Sequence, residues 1–450
     1  MALNCLALLP LPAVNGGFMD AATIGLYTLL FMFILMMAGV PIAYALGFSA
    51  LCAGLLAYGG TVLPKLGMGP FRFMYNPSWT PLPLFVLLGT LMAETRIGDD
   101  LFDATSKWLS RVPGGLVAAG VVGEAIMAAV IGTSAATIVV VGKTAVPAFE
   151  KHGYNRNMGL GALLAGGVLG PLIPPSATMI IYGVLAEMSI GQLFIAGIIP
   201  GIILMIMLAV PVILWCWWKP KWGPPGKSYS WRERFGSLKN VWPVVIVIMA
   251  ILGTIYFGVA TPTESAGVGV IVMLIIAVLF YKLRWKGLKN SLIEATLVNA
   301  MIMFICLGAY FFTYMIGSAN IATRLGDLVT TLHMSPIMVV ISINIILLIL
   351  GCLIDPITIT LLTVPIFVPL IVQVGYDPLW FGVMFVINTE IGLITPPMGI
   401  NLFAIKTIFN IPTGALLKGV APFLAIEIIF LGIIIAFPIL SLWLPATMMG

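Results

Sequence analysis

The sequence has 450 residues, of which 61% are hydrophobic and 8% are charged, whereas an ordinary soluble domain has about 25% charged residues. This composition excludes a soluble globular protein and predicts a multi-pass membrane protein, with the lipid bilayer as its immediate partner. The net charge of +5 does not indicate nucleic-acid binding, because basic residues of a membrane protein mainly set its orientation.

The apolar runs are long enough for helical spans of about 20 residues, rather than for the roughly ten-residue strands of a barrel. We therefore predict an all-α fold. Two helices occupy 21–59 and are separated at Gly39-Val-Pro41. A polar link, rich in proline and glycine, leads to a helix from about 84, which continues into an amphipathic segment over 98–111.

Two segments of the first half contain polar interruptions within apolar sequence. Residues 114–149 are interrupted by Gly132-Thr-Ser-Ala-Ala-Thr137, and their arms are too short for two full crossings, which predicts a re-entrant hairpin. Residues 157–187 predict a broken helix, because Pro174 and Pro175 donate no backbone hydrogen bond and leave carbonyl groups without partners.

A long apolar helix over 191–218 completes a first unit, residues 1–218. A basic linker over 219–239, predicted to be cytoplasmic, separates it from a second unit, residues 240–450. The second unit contains helices at about 241–257, 264–280 and 291–316, an interrupted hairpin at about 336–373, a broken helix at about 378–410 and a last helix at 415–443.

The order of these elements predicts an internal duplication. A shift of 222 residues places Gly170, Pro174 and Pro175 on Gly392, Pro396 and Pro397, and glycine and proline are the residues that fix backbone shape. The segments 107–111, 151–156, 219–239 and 281–290, with Lys406 and Lys418, hold 16 of the 21 basic residues, so the positive-inside rule places them in the cytoplasm. The first hairpin then enters from inside and the second from outside. We therefore predict two inverted repeats, the construction of a secondary transporter.

Four polar interruptions should converge near the middle of the bilayer and form the substrate and ion site. Each supplies carbonyl oxygens freed by a break together with a hydroxyl, amide or carboxylate group, which are hard ligands suited to sodium. The N-termini of the half-helices suit a carboxylate-bearing substrate. The candidate residues are Thr133, Ser134, Thr137, Pro175, Ser176, Thr178, Asp355, Thr358, Asn388, Thr395, Pro397 and Asn401.

Alternative roles stay open for several of these side chains. A serine or threonine hydroxyl can bond back to its own helix, and Asp355 can cap the half-helix that follows it. Glu390 can bind a cation, shuttle a proton or pair with a lysine. Glu124 and Lys143, on opposite arms of the first hairpin, could face each other as a structural ion pair. The chain contains no Walker lysine loop, HExxH or GxSxG motif, so we predict a transporter rather than an enzyme, with no cofactor other than coupling ions.

The run Gly170-Pro-Leu-Ile-Pro-Pro-Ser176, with Ser189-Ile-Gly-Gln-Leu-Phe194, closely resembles the large membrane subunit of TRAP (tripartite ATP-independent periplasmic) transporters. So do Asn388-Thr-Glu-Ile-Gly-Leu-Ile-Thr-Pro-Pro-Met-Gly-Ile-Asn401, Asp355-Pro and Ala260-Thr-Pro-Thr-Glu264. The likeness extends from about Gly39 to Pro422. At the first hairpin tip, however, this chain has Gly-Thr-Ser where the family usually has Ser-Gly-Ser character.

The resemblance implies an elevator-type sodium symporter in the bacterial cytoplasmic (inner) membrane. It implies two partners, a small four-helix membrane subunit and a periplasmic binding protein that delivers an organic acid. Carried over to this sequence, it implies that the sodium ligands are among Ser134, Ser176, Asp355, Thr358 and Thr395, with Asn401 nearby. Two other hypotheses remain, a stand-alone anion symporter of similar design and a polytopic membrane enzyme or scaffold.

Overall fold

The computed structural model describes residues 21–319, 321–396, 399–409 and 412–448. The secondary structure in this part of the chain is entirely helical and includes no β-strand. The prediction of an all-α fold is therefore confirmed. The helices of the first half are Ala21–Met37, Ile42–Tyr58, Leu63–Met74, Pro81–Ala93, Ile97–Leu109, Gly115–Ile131, Ser134–Lys151, Arg156–Gly166, Leu169–Leu172, Ala177–Leu185 and Ile190–Trp218.

The linker between the two halves contains the helix Trp231–Leu238. A helical segment follows from Trp242 to Tyr256 and contains a π-helical turn, Met249–Gly253. The remaining helices are Pro262–Leu279, Trp285–Ser318, Ile321–Thr331, Pro336–Gly351, Pro356–Gln373, Pro378–Ile394, Ile400–Phe409, Thr413–Ala436 and Ile439–Leu442.

Within the described ranges, six helices are long and apolar enough to cross a membrane, and the number rises to eight if each of two bent pairs forms one span. One bent pair joins Arg156–Leu172 to Ala177–Leu185 at an angle of 42°. The bend falls at Pro174-Pro175, where the missing N–H groups interrupt the helical hydrogen bonds. The multi-pass prediction therefore agrees with the fold.

Three helices were not predicted from the sequence, and one of them, Trp231–Leu238, lies in the segment predicted as a basic linker. Leu63–Met74 lies in the region predicted as a polar link, and Pro64 is compatible with its first turn because the first N–H groups of a helix need no partner. Gly69 lets this helix pack against the ring of Tyr310, since a Cβ at this position would overlap the Tyr310 hydroxyl. Ile321–Thr331 likewise falls between two predicted segments.

The basic linker folds against the end of the first half rather than extending into solvent. Asn155 N donates to Trp222 O at 2.7 Å, and Gly226 N donates to Ser110 O at 2.8 Å. The ring of Trp108 packs edge-on against Phe235 at 5.5 Å between ring centroids. These contacts bring the basic segments 107–111, 151–156 and 219–239 to one end of the molecule.

Contacts between the two halves fix their packing. Helix Trp285–Ser318 packs on Ile42–Tyr58, and Gly308 allows this because a Cβ there would overlap the carbonyl of Ala43. Nearer the centre, Tyr182 Oη donates to Pro378 O at 2.7 Å. The interrupted helices of one half are therefore in direct contact with those of the other.

Candidate functional site

The first hairpin consists of Gly115–Ile131 and Ser134–Lys151, and its tip lies against the break in the first broken helix. Gly132 ends the first arm with φ +74°, and a Cβ at this position would overlap the carbonyl of Pro175. A Cβ on Gly170 would lie 2.8 Å from the carbonyl carbon of Thr133. Both close approaches require glycine, because any side chain would separate the tip from the break.

The second hairpin, Pro336–Gly351 with Pro356–Gln373, packs in a similar way on the second broken helix, Pro378–Ile394 with Ile400–Phe409. A Cβ on Gly351 would lie 2.9 Å from Gly392 Cα. Gly392 is the residue on which the 222-residue shift places Gly170. Each of these two glycines therefore lies against the hairpin of its own half.

The two halves meet at the first hairpin tip. The Ser134 side chain lies within interaction distance of the Glu390 carboxylate on the second broken helix. Ser134 is 5% exposed and Glu390 is 2% exposed. The arms of the first broken helix also pack on Pro378–Ile394 and on Pro356–Gln373. Segments from both halves therefore surround one buried polar region.

The candidate residues of the first half lie at the tip and the break. Ser134, Thr137, Ser176, Thr178 and Pro175 are buried, whereas Thr133 is exposed. Ser176 Oγ accepts from Met179 N at 3.2 Å and so caps helix Ala177–Leu185, while Thr137 Oγ1 donates to Thr133 O at 2.8 Å. These two hydroxyls therefore have local bonds, and a hydroxyl oxygen can still accept or coordinate through its second lone pair.

The candidate residues of the second hairpin tip form a helix cap. Asp355 Oδ1 accepts from Thr358 N at 3.0 Å, and Asp355 Oδ2 accepts from Thr358 Oγ1 at 2.6 Å. Asp355 is half-buried and Thr358 is buried. The capping role proposed as an alternative for Asp355 is present, and the carboxylate retains lone pairs for a further ligand.

The candidate residues of the second broken helix are in different environments. Asn388 and Asn401 are buried, and Thr395 is half-buried. Thr395 Oγ1 donates back to Ile391 O at 2.6 Å, as expected for a threonine in an apolar helix. The buried Asn401 Nδ2 has no hydrogen-bond partner. Pro397 lies outside the described residues.

A hydrogen bond between asparagine side chains joins the second hairpin to the second broken helix. Asn388 Nδ2 donates to Asn344 Oδ1 at 2.6 Å and also to Asn344 O at 3.0 Å. Asn388 Oδ1 is buried without a partner. Asn344 was not among the residues predicted from the sequence, although an amide within the apolar run Pro336–Gly351 is a signal that could have identified it.

Glu390 is a buried carboxylate near this amide pair, and its Oε2 has no hydrogen-bond partner. The alternative that Glu390 pairs with a lysine is wrong, because no ion pair among the described residues includes Glu390. These ion pairs join Arg96 to Asp99, Lys107 to Asp103 and Arg156 to Glu150. A carboxylate at membrane depth is costly unless it is paired or neutralised. Glu390 therefore belongs with the candidate site residues.

Two further glutamates are fully buried with both carboxylate oxygens unpartnered, Glu124 and Glu427. The expected pairing of Glu124 with Lys143 is wrong, because Lys143 is exposed while the Glu124 carboxylate lies against Gly166, where a Cβ would overlap it. The two arms of a helical hairpin can place their side chains on opposite sides, which sequence spacing does not reveal.

Glu427 lies close enough to Glu390 for their charges to interact. Its helix, Thr413–Ala436, runs antiparallel to Pro378–Ile394. Near the start of Pro378–Ile394, Trp380 Nε1 donates at 2.8 Å to Ile434 O, which lies near the end of Thr413–Ala436. Glu427 was not among the residues predicted from the sequence. A single acidic residue in a 24-residue apolar helix was the available signal, because such residues in spans usually face the protein interior.

The chemistry of these groups fits a hard monovalent cation. Among the described residues, no cluster of three or more His, Cys, Asp and Glu side chains has the arrangement of a metal centre. The available ligands are instead hydroxyl, amide, carbonyl and carboxylate oxygens, which suit sodium. Asn388 Oδ1 and Glu390 Oε2 are buried and unpartnered. Because residues two positions apart on a helix face different directions, a cation would be bound by one of these oxygens and not by both.

Residues 29–440 match the family model described as "Tripartite ATP-independent periplasmic transporter, DctM component". The C4-dicarboxylate TRAP transporter large permease protein DctM of Pseudomonas aeruginosa is 36% identical over 366 residues, which are 81% of this chain and 85% of that protein. The sialic acid TRAP transporter large permease protein SiaM of Vibrio cholerae is 31% identical and covers 92% of this chain and 97% of its own length.

Among solved structures, the YdaH transporter of Alcanivorax borkumensis has a similar fold. The TM-score is 0.62 with 13% sequence identity, and the match covers 92% of this chain and 98% of the other. The two TRAP proteins are large permease proteins, in agreement with the resemblance found in the motifs. The chain therefore belongs to the DctM component family of TRAP transporters and is a multi-pass protein of the inner membrane.

Proposed function

We propose that this chain performs sodium-coupled uptake of an organic acid across the inner membrane, as the large permease subunit of a TRAP transporter. The observation that carries the proposal is the meeting of both halves at Ser134 and Glu390, where the buried Glu390 Oε2 has no hydrogen-bond partner. Ion sites of transporters lie where broken helices from two repeats meet.

The substrate in this proposal carries a carboxylate group. The relatives are named for C4-dicarboxylates and sialic acid, and both classes of compound are carboxylates. The N-terminus of helix Ala177–Leu185 directs free N–H groups and partial positive charge into the polar region. A carboxylate bound there would lie near the proposed cation, which compensates its charge.

We further propose that the two halves are inverted repeats and that transport follows an elevator mechanism. The equivalent glycines Gly170 and Gly392, each packed on the hairpin of its own half, support the repeat. In this proposal the two hairpins and two broken helices move together as one unit. The remaining ion ligands would be among Ser176, Asp355, Thr358 and Thr395.

The proposal includes two partners, a small four-helix membrane subunit and a periplasmic substrate-binding protein. The matching family is described as a tripartite transporter component, which supports this assembly. The alternative is a stand-alone sodium/anion symporter with the same fold. The tripartite transporter and the stand-alone symporter can be distinguished by experiment, because only the stand-alone symporter transports substrate without the other components.

Uptake by proteoliposomes tests the proposal. We expect radiolabelled C4-dicarboxylate or sialic acid to accumulate under an inward sodium gradient when both partners are present, and a potassium gradient should not replace sodium. Uptake by this chain alone would support the stand-alone alternative. Equal uptake under sodium and potassium gradients would refute sodium coupling.

A further inference from the structure

A cavity of about 480 Å³ lies at the basic end of the molecule, between the linker and three helices. The helices are Arg156–Gly166, Ile190–Trp218 and Thr413–Ala436. Trp215 and Phe423 line the cavity in edge-on contact, with 5.4 Å between their ring centroids. A volume of this size is typical of a small-molecule site.

Two positive charges line the cavity, Lys219 and Lys418, and none of its lining residues is acidic. Lys219 Nζ lies 4.7 Å from the centroid of the Trp222 ring, in a cation–π contact. Neither lysine takes part in the ion pairs found among the described residues. The cavity therefore presents uncompensated positive charge, which suits an anionic group.

The tryptophans place the cavity at the level of the lipid headgroups. Trp218 lines the cavity at the end of the long helix Ile190–Trp218, and 74% of its surface is exposed. The adjacent Trp217 is 68% exposed. Exposed tryptophans at the end of an apolar helix mark the membrane–water interface. An amphipathic ligand could therefore place its polar part at the lysines and its apolar part along these rings.

The basic residues also identify the leaflet. The segments 107–111, 151–156 and 219–239 gather at this end of the molecule, as described above, and an excess of lysine and arginine marks the cytoplasmic side. The cytoplasmic leaflet carries the anionic lipids that attract basic residues near the membrane surface. Basic pockets between membrane helices on this side bind phospholipid headgroups in other proteins.

We propose that this cavity binds the phosphate headgroup of an anionic phospholipid from the cytoplasmic leaflet. Lys219 and Lys418 hold the phosphate, and the tryptophan rings contact the glycerol and upper acyl region. Because the two lysines lie on different helix ends, one bound lipid links helix Ile190–Trp218 to Thr413–Ala436. This site is separate from the proposed ion site and does not depend on the transport activity.

The experiment measures lipid binding to the full-length purified protein by native mass spectrometry. Phosphatidylglycerol and phosphatidylethanolamine are titrated into the wild type, the double variant Lys219→Gln/Lys418→Gln and the control double variant Lys286→Gln/Lys289→Gln. The control removes two exposed lysines from the start of helix Trp285–Ser318, outside the cavity. A third variant, Trp218→Ala, removes a ring but no charge.

We expect the wild type and the control to retain phosphatidylglycerol in preference to phosphatidylethanolamine. Each lysine contributes about fivefold in affinity, from about 1 kcal/mol per basic residue near an anionic surface. The cavity double variant should therefore bind phosphatidylglycerol about 25-fold more weakly, and its affinity for phosphatidylethanolamine should change little. Trp218→Ala should weaken the binding of both lipids.

Three results would overturn the proposal. They are equal retention of the two lipids by the wild type, an equal loss of binding in the control variant, and unchanged binding in the cavity variant. Inorganic phosphate serves as a competitor. If millimolar phosphate displaces phosphatidylglycerol completely, the cavity is a site for a free phosphoanion and not for a lipid. If the double variant does not fold, Lys418→Gln alone should show the fivefold loss.

Discussion

Asn388 donates a 2.6 Å hydrogen bond to Oδ1 of Asn344, and the two residues are 44 positions apart in the sequence. The bond joins the first arm of the second hairpin to the second broken helix, and both side chains are buried. Glu390, two positions further along the same helix, lies near Ser134 of the first hairpin. Helix Pro378–Ile394 therefore presents a buried polar side chain to each of the two hairpins.

Replacing Asn344 with alanine should destabilise the protein. Asn388 Nδ2 would lose the Oδ1 acceptor and keep only the backbone acceptor, the carbonyl of residue 344, and the loss of one buried hydrogen bond costs about 0.5–1.5 kcal/mol. A lower thermal unfolding temperature in detergent, measured by intrinsic fluorescence, checks this. Asn299→Ala is the control, because Asn299 Nδ2 donates only to Ala295 O of its own helix, at 2.7 Å. Equal effects of the two substitutions would show that the cross-helix bond contributes nothing.

Ser134→Ala should weaken sodium activation of uptake. In the proposed site it removes one oxygen ligand and leaves the backbone unchanged. Loss of a contact worth about 1.4 kcal/mol raises the half-saturating sodium concentration about tenfold. Uptake in proteoliposomes at varied sodium concentration measures this. Ser106→Ala is a matched control, because its hydroxyl donates to its own helix at Asp103 O. A wild-type sodium response in Ser134→Ala would remove Ser134 from the ligand set.

Glu390→Gln should reduce sodium-dependent uptake more strongly than Ser134→Ala, because it removes a negative charge from a buried site. The substitution keeps the volume of the side chain, so the protein should still insert and fold. Direct sodium binding, measured by sodium-dependent thermal stabilisation, separates a binding defect from a transport defect. Stabilisation by sodium equal to that of the wild type would show that the Glu390 carboxylate does not bind the ion.

Gly132→Ala should destabilise the first hairpin in two ways. The residue has φ +74° and a Cβ would overlap Pro175 O. Gly153 provides the control, since its φ is +71° and nothing lies within 4 Å of its Cβ position. Gly153→Ala should cost about 1–2 kcal/mol for the left-handed backbone alone, and Gly132→Ala should cost more. Chemical unfolding compares the two, and equal losses would mean that the tip moves away without penalty.

Glu427→Gln should leave the protein as stable as the wild type or more stable. The Glu427 carboxylate is fully buried and neither oxygen has a hydrogen-bond partner, and a neutral amide of the same shape avoids the cost of a buried charge. Glu264→Ala should instead lower stability, because the Glu264 carboxylate accepts from Thr261 N at 2.8 Å in a capping box. Thermal unfolding of both variants tests the contrast. A marked loss in Glu427→Gln would indicate that the carboxylate binds a cation.

The sequence by itself determined the features that depend on local chemistry. Apolar runs of span length predicted an all-helical membrane protein, and Gly132 and Pro174-Pro175 predicted interruptions where the structure has them, because glycine and proline act on their own backbone. The motifs around Gly170 and Asn388 identified the family. The sodium ligands and the elevator mechanism remain predictions.

Only the tertiary structure decided which side chains meet. Asn344 and Asn388, or Glu390 and Glu427, lie on different helices, and the hydrophobic pattern cannot give the rotation of one helix against another when almost every face is apolar. The same limit explains the wrong pairing of Glu124 with Lys143. A helix fixes the spacing of its own residues, whereas contacts between helices depend on the packing of the whole bundle.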